Sequence, residues 1–255
     1  MISVYKIGGK VIDDEAALGQ FCRDFAALEG PKILVHGGGV EASRLQQKLG
    51  MQPVMIEGRR VTDEATLRIV TMVYAGWCSK HICALLQARG CNAVGMAGCD
   101  ASVIKASRRA PLEEGTCKGI DFGFVGDVNA GSVNTEILGK LLEAGLVPVL
   151  CAINHDGNGN LLNTNADTVA QSVAAALRGK LYCCFEQKGV LRDSVVIGHI
   201  GPEEFESLKA DGTVSGGMIP KIENCLKALR EGAAGARILS YEDIGREDAG
   251  TSISL

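Results

Sequence analysis

The chain has 255 residues, 46% of them hydrophobic and 22% charged, with a formal net charge of −4 from 26 basic and 30 acidic side chains. That is enough chain for one sizeable core or two cooperating lobes of a soluble globular protein. There is no long basic cluster to follow a phosphate backbone and no apolar run of the ~18 residues a membrane span needs, so neither nucleic acid nor a membrane is expected as a partner. Apolar residues begin by position 4, which leaves no room for a targeting signal, and the protein is expected to stay in the cytoplasm. The ten cysteines include no C-x-x-C pair, and Cys183 and Cys184 are adjacent. Reduced, buried thiols fit that pattern better than a disulfide framework or a zinc site.

Short apolar runs bounded by glycine alternate with longer segments of helical period, the pattern of an α/β protein with a largely parallel central sheet. Residues 4–7 read as the first strand, ending in Lys6-Ile7-Gly8-Gly9. Paired glycines let backbone N–H groups approach an anion and a lysine adds a point charge, although a lysine in an edge strand beside a glycine turn is as often structural. A helix over 14–28 follows, with Leu18, Phe21, Phe25 and Leu28 on one face and Gly30-Pro31 closing it. Strand 33–35 leads into His36-Gly37-Gly38-Gly39 and a helix holding Leu45 and Leu49. Three glycines at a strand-to-helix junction bare the amides where the helix dipole favours an anion, whereas His36 itself reads as structural. Thr62 is placed to cap the next helix, with Asp63 and Glu64 in its first turn. Leu67, Ile69, Val70, Met72 and Val73 cover nearly all its sides, which points to burial against another lobe or subunit.

Strand 147–151 precedes a dense turn signal at 154–160, read as a hairpin that returns through Leu161-Leu162. Asn163-Thr164-Asn165-Ala166-Asp167 then opens a helix over 169–177, where Asp167 either caps the helix or offers its carboxylate to a site. Residues 181–185 and 237–239 are further strands. Between them, Gly216-Gly217-Met218-Ile219-Pro220-Lys221 opens a helix marked by Met218, Ile222, Cys225 and Leu229. A lysine in a first helical turn is disfavoured by the dipole unless an anion is bound. Neither G-x-x-x-x-G-K-[ST] nor G-x-G-x-x-G occurs, so a nucleotide would be held some other way.

Lys6-x-Gly8-Gly9, the H-G-G-G run, Gly58-Arg59-Arg60-Val61-Thr62, N-x-N-A-D ending at Asp167, G-G-M-I-P-K ending at Lys221 and the closing Gly250-Thr251-Ser252-Ile253 together resemble the amino acid kinase family over essentially the whole chain. The resemblance implies a three-layer sandwich in two lobes: residues 1–170 for acyl-glutamate binding and dimerisation, residues 171–255 for ATP. It implies ATP-dependent phosphorylation of the γ-carboxylate of N-acetyl-L-glutamate, as in arginine biosynthesis. An N-succinyl-L-glutamate acceptor and a non-catalytic metabolite sensor are the alternatives.

The resemblance makes Lys6 and Lys221 the cations that stabilise the migrating phosphoryl group, with Asp167 holding both lysines. Gly9, Gly38 and Gly39 offer backbone amides, Arg60 grips the α-carboxylate, and Asn163 holds the acylamide end. Gly8, Gly9, Glu186, Lys188, Gly189, Leu191, Thr213, Ser215 and Gly217 are implied on the nucleotide side, with Mg2+ held mainly by ATP phosphates and water. A guanidinium matches a carboxylate bidentately and two flexible ammonium groups suit a phosphate in transfer, so the chemistry agrees with these roles.

The chain departs from the family pattern at three places. Glu186 stands where an aspartate is usual. The region 97–127, where the acyl group is recognised, looks like a branch using succinyl, for whose extra carboxylate Lys105, Arg108, Arg109 and Lys118 are candidates by position. No extra N-terminal helix precedes Lys6, so a homodimer insensitive to arginine is expected.

Overall fold

A computed structural model of the chain describes residues 1–56, 58–111 and 118–255. Its centre is an eight-stranded sheet of β1 (Ser3–Ile7), β2 (Lys32–His36), β3 (Ala93–Met96), β4 (Val147–Cys151), β5 (Lys180–Phe185), β6 (His199–Ile200), β7 (Gly235–Ser240) and β8 (Thr251–Ile253). The spatial order is β6-β8-β7-β5-β1-β2-β4-β3, and every neighbouring pair is parallel except β7 with β8. Parallel strands covered on both faces must be apolar on both, which is why the short runs show no alternation. Along β1, Val4 packs toward one layer while Tyr5 and Ile7 pack toward the other.

The helices are α1 (Gly9–Asp13), α2 (Glu15–Ala27), α3 (Gly39–Lys48), α4 (Glu64–Thr71), α5 (Ser79–Gln87), α6 (Thr135–Glu143), α7 (Ala166–Ala176), α8 (Pro202–Ala210) and α9 (Met218–Arg230). One outer layer packs Val169, Val173, Ile222 and Leu226 of α7 and α9 on the sheet; the other packs Phe21 and Phe25 of α2 with Ile82 and Leu86 of α5. Asp14 caps α2 by accepting from the amides of Ala16 and Ala17, and the buried Lys32 ammonium donates to the carbonyls of Phe25, Ala26 and Leu28 at its far end. The three-layer α/β expectation is met. β1 is a central strand, so Lys6 does not sit on an edge.

Three local expectations change. Asp63, not Thr62, caps α4, accepting the Thr66 amide at 2.7 Å, because the Thr62 hydroxyl is engaged in the site described below. The first hairpin arm is Ile153–His155 rather than β4; it pairs with Leu161–Asn163. Asn165 caps α7 through the amides of Asp167 and Thr168, which frees the Asp167 carboxylate from that duty.

From α4 the helix continues through a π-helical segment, Met72–Cys78, directly into α5. Among the described residues, Glu64–Gln87 is the one helical stretch long and apolar enough to cross a membrane. Its buried residues, among them Ile69, Val70, Tyr74 and Ile82, belong to the protein's own core, while Met72 and Trp77 stay exposed. Gly189 and the chain end also meet: the Thr251 hydroxyl accepts the Val190 amide at 2.8 Å, and a Cβ on Gly189 would lie 2.8 Å from that same oxygen.

Candidate active site

The carboxyl ends of β1, β2 and β5 converge where the chain order across the sheet reverses, the place where open α/β sheets form a ligand crevice. A cavity of about 980 Å³ lies there, lined by Lys6, Gly9, Gly37, Gly38, Gly39, Arg60, Asn163, Asp167, Gly217 and Lys221 among others.

β1 delivers Lys6 and the first turn of α7 delivers Asp167, with the Lys6 ammonium 2.8 Å from Asp167 Oδ1. Burial disfavours the ammonium, but the charge and hydrogen bond of Asp167 outweigh it, so the lysine's pKa lies above its ordinary value. Lys221 reaches the cavity from α9, where its ammonium donates to the Gly217 carbonyl at 3.1 Å and lies 5.4 Å from the centroid of the Phe185 ring. Asp167 thus pairs with Lys6 and not with Lys221. Lys221 is tethered to a carbonyl one helical turn back on its own element instead.

On the opposite wall the H-G-G-G turn starts α3. Gly38 has φ +148°, and a Cβ there would lie 2.9 Å from the Tyr74 ring and 3.0 Å from the Cys78 sulfur, so only glycine fits. The π-helical segment is what presses Tyr74 and Cys78 against this turn. His36 beneath it is fully buried, sits at 2.8 Å from the Gly37 carbonyl through Nδ1, and is driven by desolvation down to about 4. A neutral ring donating Nδ1–H is structural, as the sequence suggests.

Arg60 is 8% exposed and its guanidinium is held by neutral acceptors: Gln46 Oε1 at 2.5 Å, and the Gly39 carbonyl and Ser43 Oγ both at 2.8 Å. Among the described residues no carboxylate pairs with it. Thr62 gives its single proton to the Arg60 carbonyl at 3.1 Å, so it accepts from Asn163 Nδ2 at 3.0 Å. That polarity leaves Asn163 Oδ1 as the free acceptor on that side chain. Ser43, Gln46, Thr62 and Tyr74 therefore belong to the site. Thr62 shows in the sequence only as the end of the G-x-R-V-T run, and Ser43, Gln46 and Tyr74 carry no local signal, because their partners come from other elements.

The residues expected on the nucleotide side divide. Gly9 and Gly217 line the cavity. Gly8 does not, and its amide is engaged with the Cys184 carbonyl at 3.1 Å. Glu186 pairs with Lys10 at 3.3 Å near the surface, and Lys188 is exposed. Gly189 is buried against Thr251, Leu191 lies in a short hairpin opposite Val196, the Thr213 amide is bound to Asp211, and the Ser215 carbonyl accepts the Met218 amide. None of these six lines the cavity. Of the four candidate cations for a longer acyl group, only Arg109 does, with its Nε at 3.0 and 3.1 Å from the two oxygens of Asp127. Lys105 lies against the turn at Gly157, and Arg108 over Phe124. All nine described cysteines are free, and Cys117 lies outside the described residues.

A pair of lysines opposite a glycine-lined turn, with a buried guanidinium beyond it, can bind two anions in line and carry charge between them. The sequence pattern described as "Amino acid kinase family" matches residues 1–240. Similar proteins include an acetylglutamate kinase of Bacteroides fragilis, 45% identical over 260 residues, covering 99% of this chain and 96% of that one. An acetylglutamate kinase of Cytophaga hutchinsonii is 47% identical over 249 residues, covering 94% of this chain and 92% of its own. Among solved structures, an N-acetylglutamate synthase from Neisseria gonorrhoeae shares the fold with a TM-score of 0.83 at 24% identity, covering all of this chain and 59% of that one. The chain belongs to the amino acid kinase family.

Proposed function

We propose that this chain is an acetylglutamate kinase, transferring the γ-phosphoryl group of ATP to the γ-carboxylate of N-acetyl-L-glutamate in arginine biosynthesis. The observation that carries the reading is the Lys6–Asp167 pair, facing Lys221 and the Gly38–Gly39 turn across one cavity beside a buried Arg60 with neutral partners. The relatives named above support it. A carboxylate acceptor is already ionised at neutral pH, so no general base is needed, and positioning with charge stabilisation carries the rate. Arg60 would bind the α-carboxylate. Because its present partners are neutral, a carboxylate, which adds an opposite charge and can bind the fork bidentately, can displace the weaker of them. Asn163 Oδ1 would accept the amide N–H, and Gly38 and Gly39 would present amides to the γ-carboxylate. Lys6 and Lys221 would flank the phosphoryl group in transfer.

ATP would enter from the side of α9 and the 186–191 segment, so that residues 1–170 serve the acceptor and 171–255 the nucleotide. No cluster of three metal-ligating side chains occurs among the described residues, and the carboxylate at the phosphoryl position is committed to Lys6. Mg2+ would therefore be carried on ATP phosphates and water, where it neutralises phosphate charge. A cytoplasmic homodimer is part of the proposal; Met72 and Trp77, exposed at 56% and 61% on one long helix, are the apolar surface a partner copy would cover. Light scattering tests it, and a monomer at working concentration would refute it.

N-succinyl-L-glutamate stays as a second reading because Arg109 lines the same cavity as Asn163. Incubation with MgATP and either acceptor, trapping the acyl phosphate as its hydroxamate, tests both. Faster trapping with N-acetylglutamate supports the first, faster trapping with the succinyl compound supports the second, and none with either leaves a sensor.

A further inference from the structure

We propose that Gln46 is a positioning residue for acceptor recognition, a neutral clamp that aims the Arg60 guanidinium while leaving its charge for the α-carboxylate of the substrate. The inference rests on the reading of Arg60 given above and deepens it.

Gln46 sits on α3 and is 1% exposed, so each of its amide groups needs a partner. Its Nε2 donates to Thr66 Oγ1 at 3.1 Å, and its Oε1 accepts from Arg60 Nη1. The direction of the chain is set by the guanidinium, which carries only donors: the glutamine must meet it with its oxygen, so the amide nitrogen is left to donate to Thr66 Oγ1. Asp63 in turn accepts the Thr66 amide at 2.7 Å and holds the first turn of the helix that carries Thr66. Two helices thereby fix one nitrogen of the fork. Ser43 acts alike, giving its proton to the Gly39 carbonyl at 3.0 Å and accepting from Arg60 Nη2.

The choice of amide over carboxylate is the informative part. Glutamate is nearly the same size and would bind the guanidinium more strongly, but it would neutralise the cation from inside. A substrate carboxylate arriving next would meet a formal zero instead of +1 in a partly buried site. A merely structural glutamine would have no reason to refuse that charge.

The test is steady-state kinetics of Gln46→Glu with N-acetylglutamate and MgATP. The expected result is a KM for N-acetylglutamate raised about tenfold or more with kcat within about threefold, the signature of lost ground-state binding. The KM for ATP should not move. As a second probe, 4-acetamidobutyrate lacks the α-carboxylate, and its Ki as a competitive inhibitor should be the same for wild type and Gln46→Glu. An unchanged KM for N-acetylglutamate, or equal losses for substrate and analogue, would overturn the proposal. Should Gln46→Glu not fold, Thr66→Val and Thr66→Ser take its place: Val should raise the KM and Ser restore it, and equal effects would overturn the idea. Arg60→Met separates the two levels. If it leaves the KM unchanged, the reading of Arg60 itself falls; if it raises the KM while Gln46→Glu does not, only the role of Gln46 falls.

Discussion

The two walls of the cavity are built differently. On the wall proposed to take the acceptor, Arg60, Gln46, Thr62, Thr66 and Asn163 are buried and joined by hydrogen bonds whose directions are all determined, under a glycine turn locked by Tyr74. On the wall where the nucleotide is proposed to bind, Gly216 and Gly217 are exposed, and Lys221 is held by one carbonyl. The acceptor wall is prepared before substrate arrives; the nucleotide wall has few internal bonds to lose and can shape itself around its ligand. Preorganisation lowers the ordering cost of binding, so on the proposed reading selectivity would reside in the acceptor wall, and the open wall would suit a nucleotide that enters and leaves each cycle.

Substitutions should sort by wall. The largest effect is expected from Asp167→Asn, which removes the counter-charge of Lys6. Burial would then act on Lys6 without its counter-charge and lower its pKa. Activity that needs the ammonium would be lost as pH rises through the lowered value, so the alkaline limb of the kcat profile should move to lower pH, alongside a fall of roughly 10²–10³ in kcat. A profile of unchanged shape would break the link between the pair and catalysis.

His36 probes the acceptor wall through stability. Its ring stays neutral down to about 4 in the native protein, while in the unfolded chain it titrates near 6.5. The unfolded chain binds more protons between those values, so the stability present above pH 6.5 is lost as pH falls toward 4, by about 3 kcal/mol. Urea denaturation of His36→Asn at several pH values should lack that slope, whatever its absolute stability; an unaltered slope would mean that other groups drive acid unfolding. The smallest effect is expected at Glu186→Gln. Its partner Lys10 is 82% exposed, and pairs of that kind contribute about 0.2–1 kcal/mol. The KM for ATP should change by less than about threefold, and a larger change would show that Glu186 acts on the nucleotide despite lying outside the cavity lining.

Much of this was legible in the residues. The sheet was, because strands buried on both faces leave unbroken apolar runs between glycines, and so were the glycine turns and both lysines. Three features were not. Asn165 and Asp167 are equally good caps by type, and only the turn entering α7 decides that Asn165 takes the amides. The π-helical segment has no sequence signature, yet it sets Tyr74 against Gly38. Gln46 reads as an ordinary surface glutamine until the approach of α4 buries it. Each depends on a contact between elements distant in sequence or on the exact start of a helix, which local pattern does not specify.

Lys221 bears most directly on the central claim, that phosphoryl transfer here is charge stabilisation by two lysines without acid–base help. The measurement is kcat of Lys221→Ala with MgATP and N-acetylglutamate, by hydroxamate trapping, beside its thermal denaturation. A kcat lower by roughly 10²–10³ with an unchanged melting transition is the expected result, since one preorganised donor is typically worth about 2.7–4 kcal/mol. Near-normal turnover in a folded Lys221→Ala protein would contradict the account.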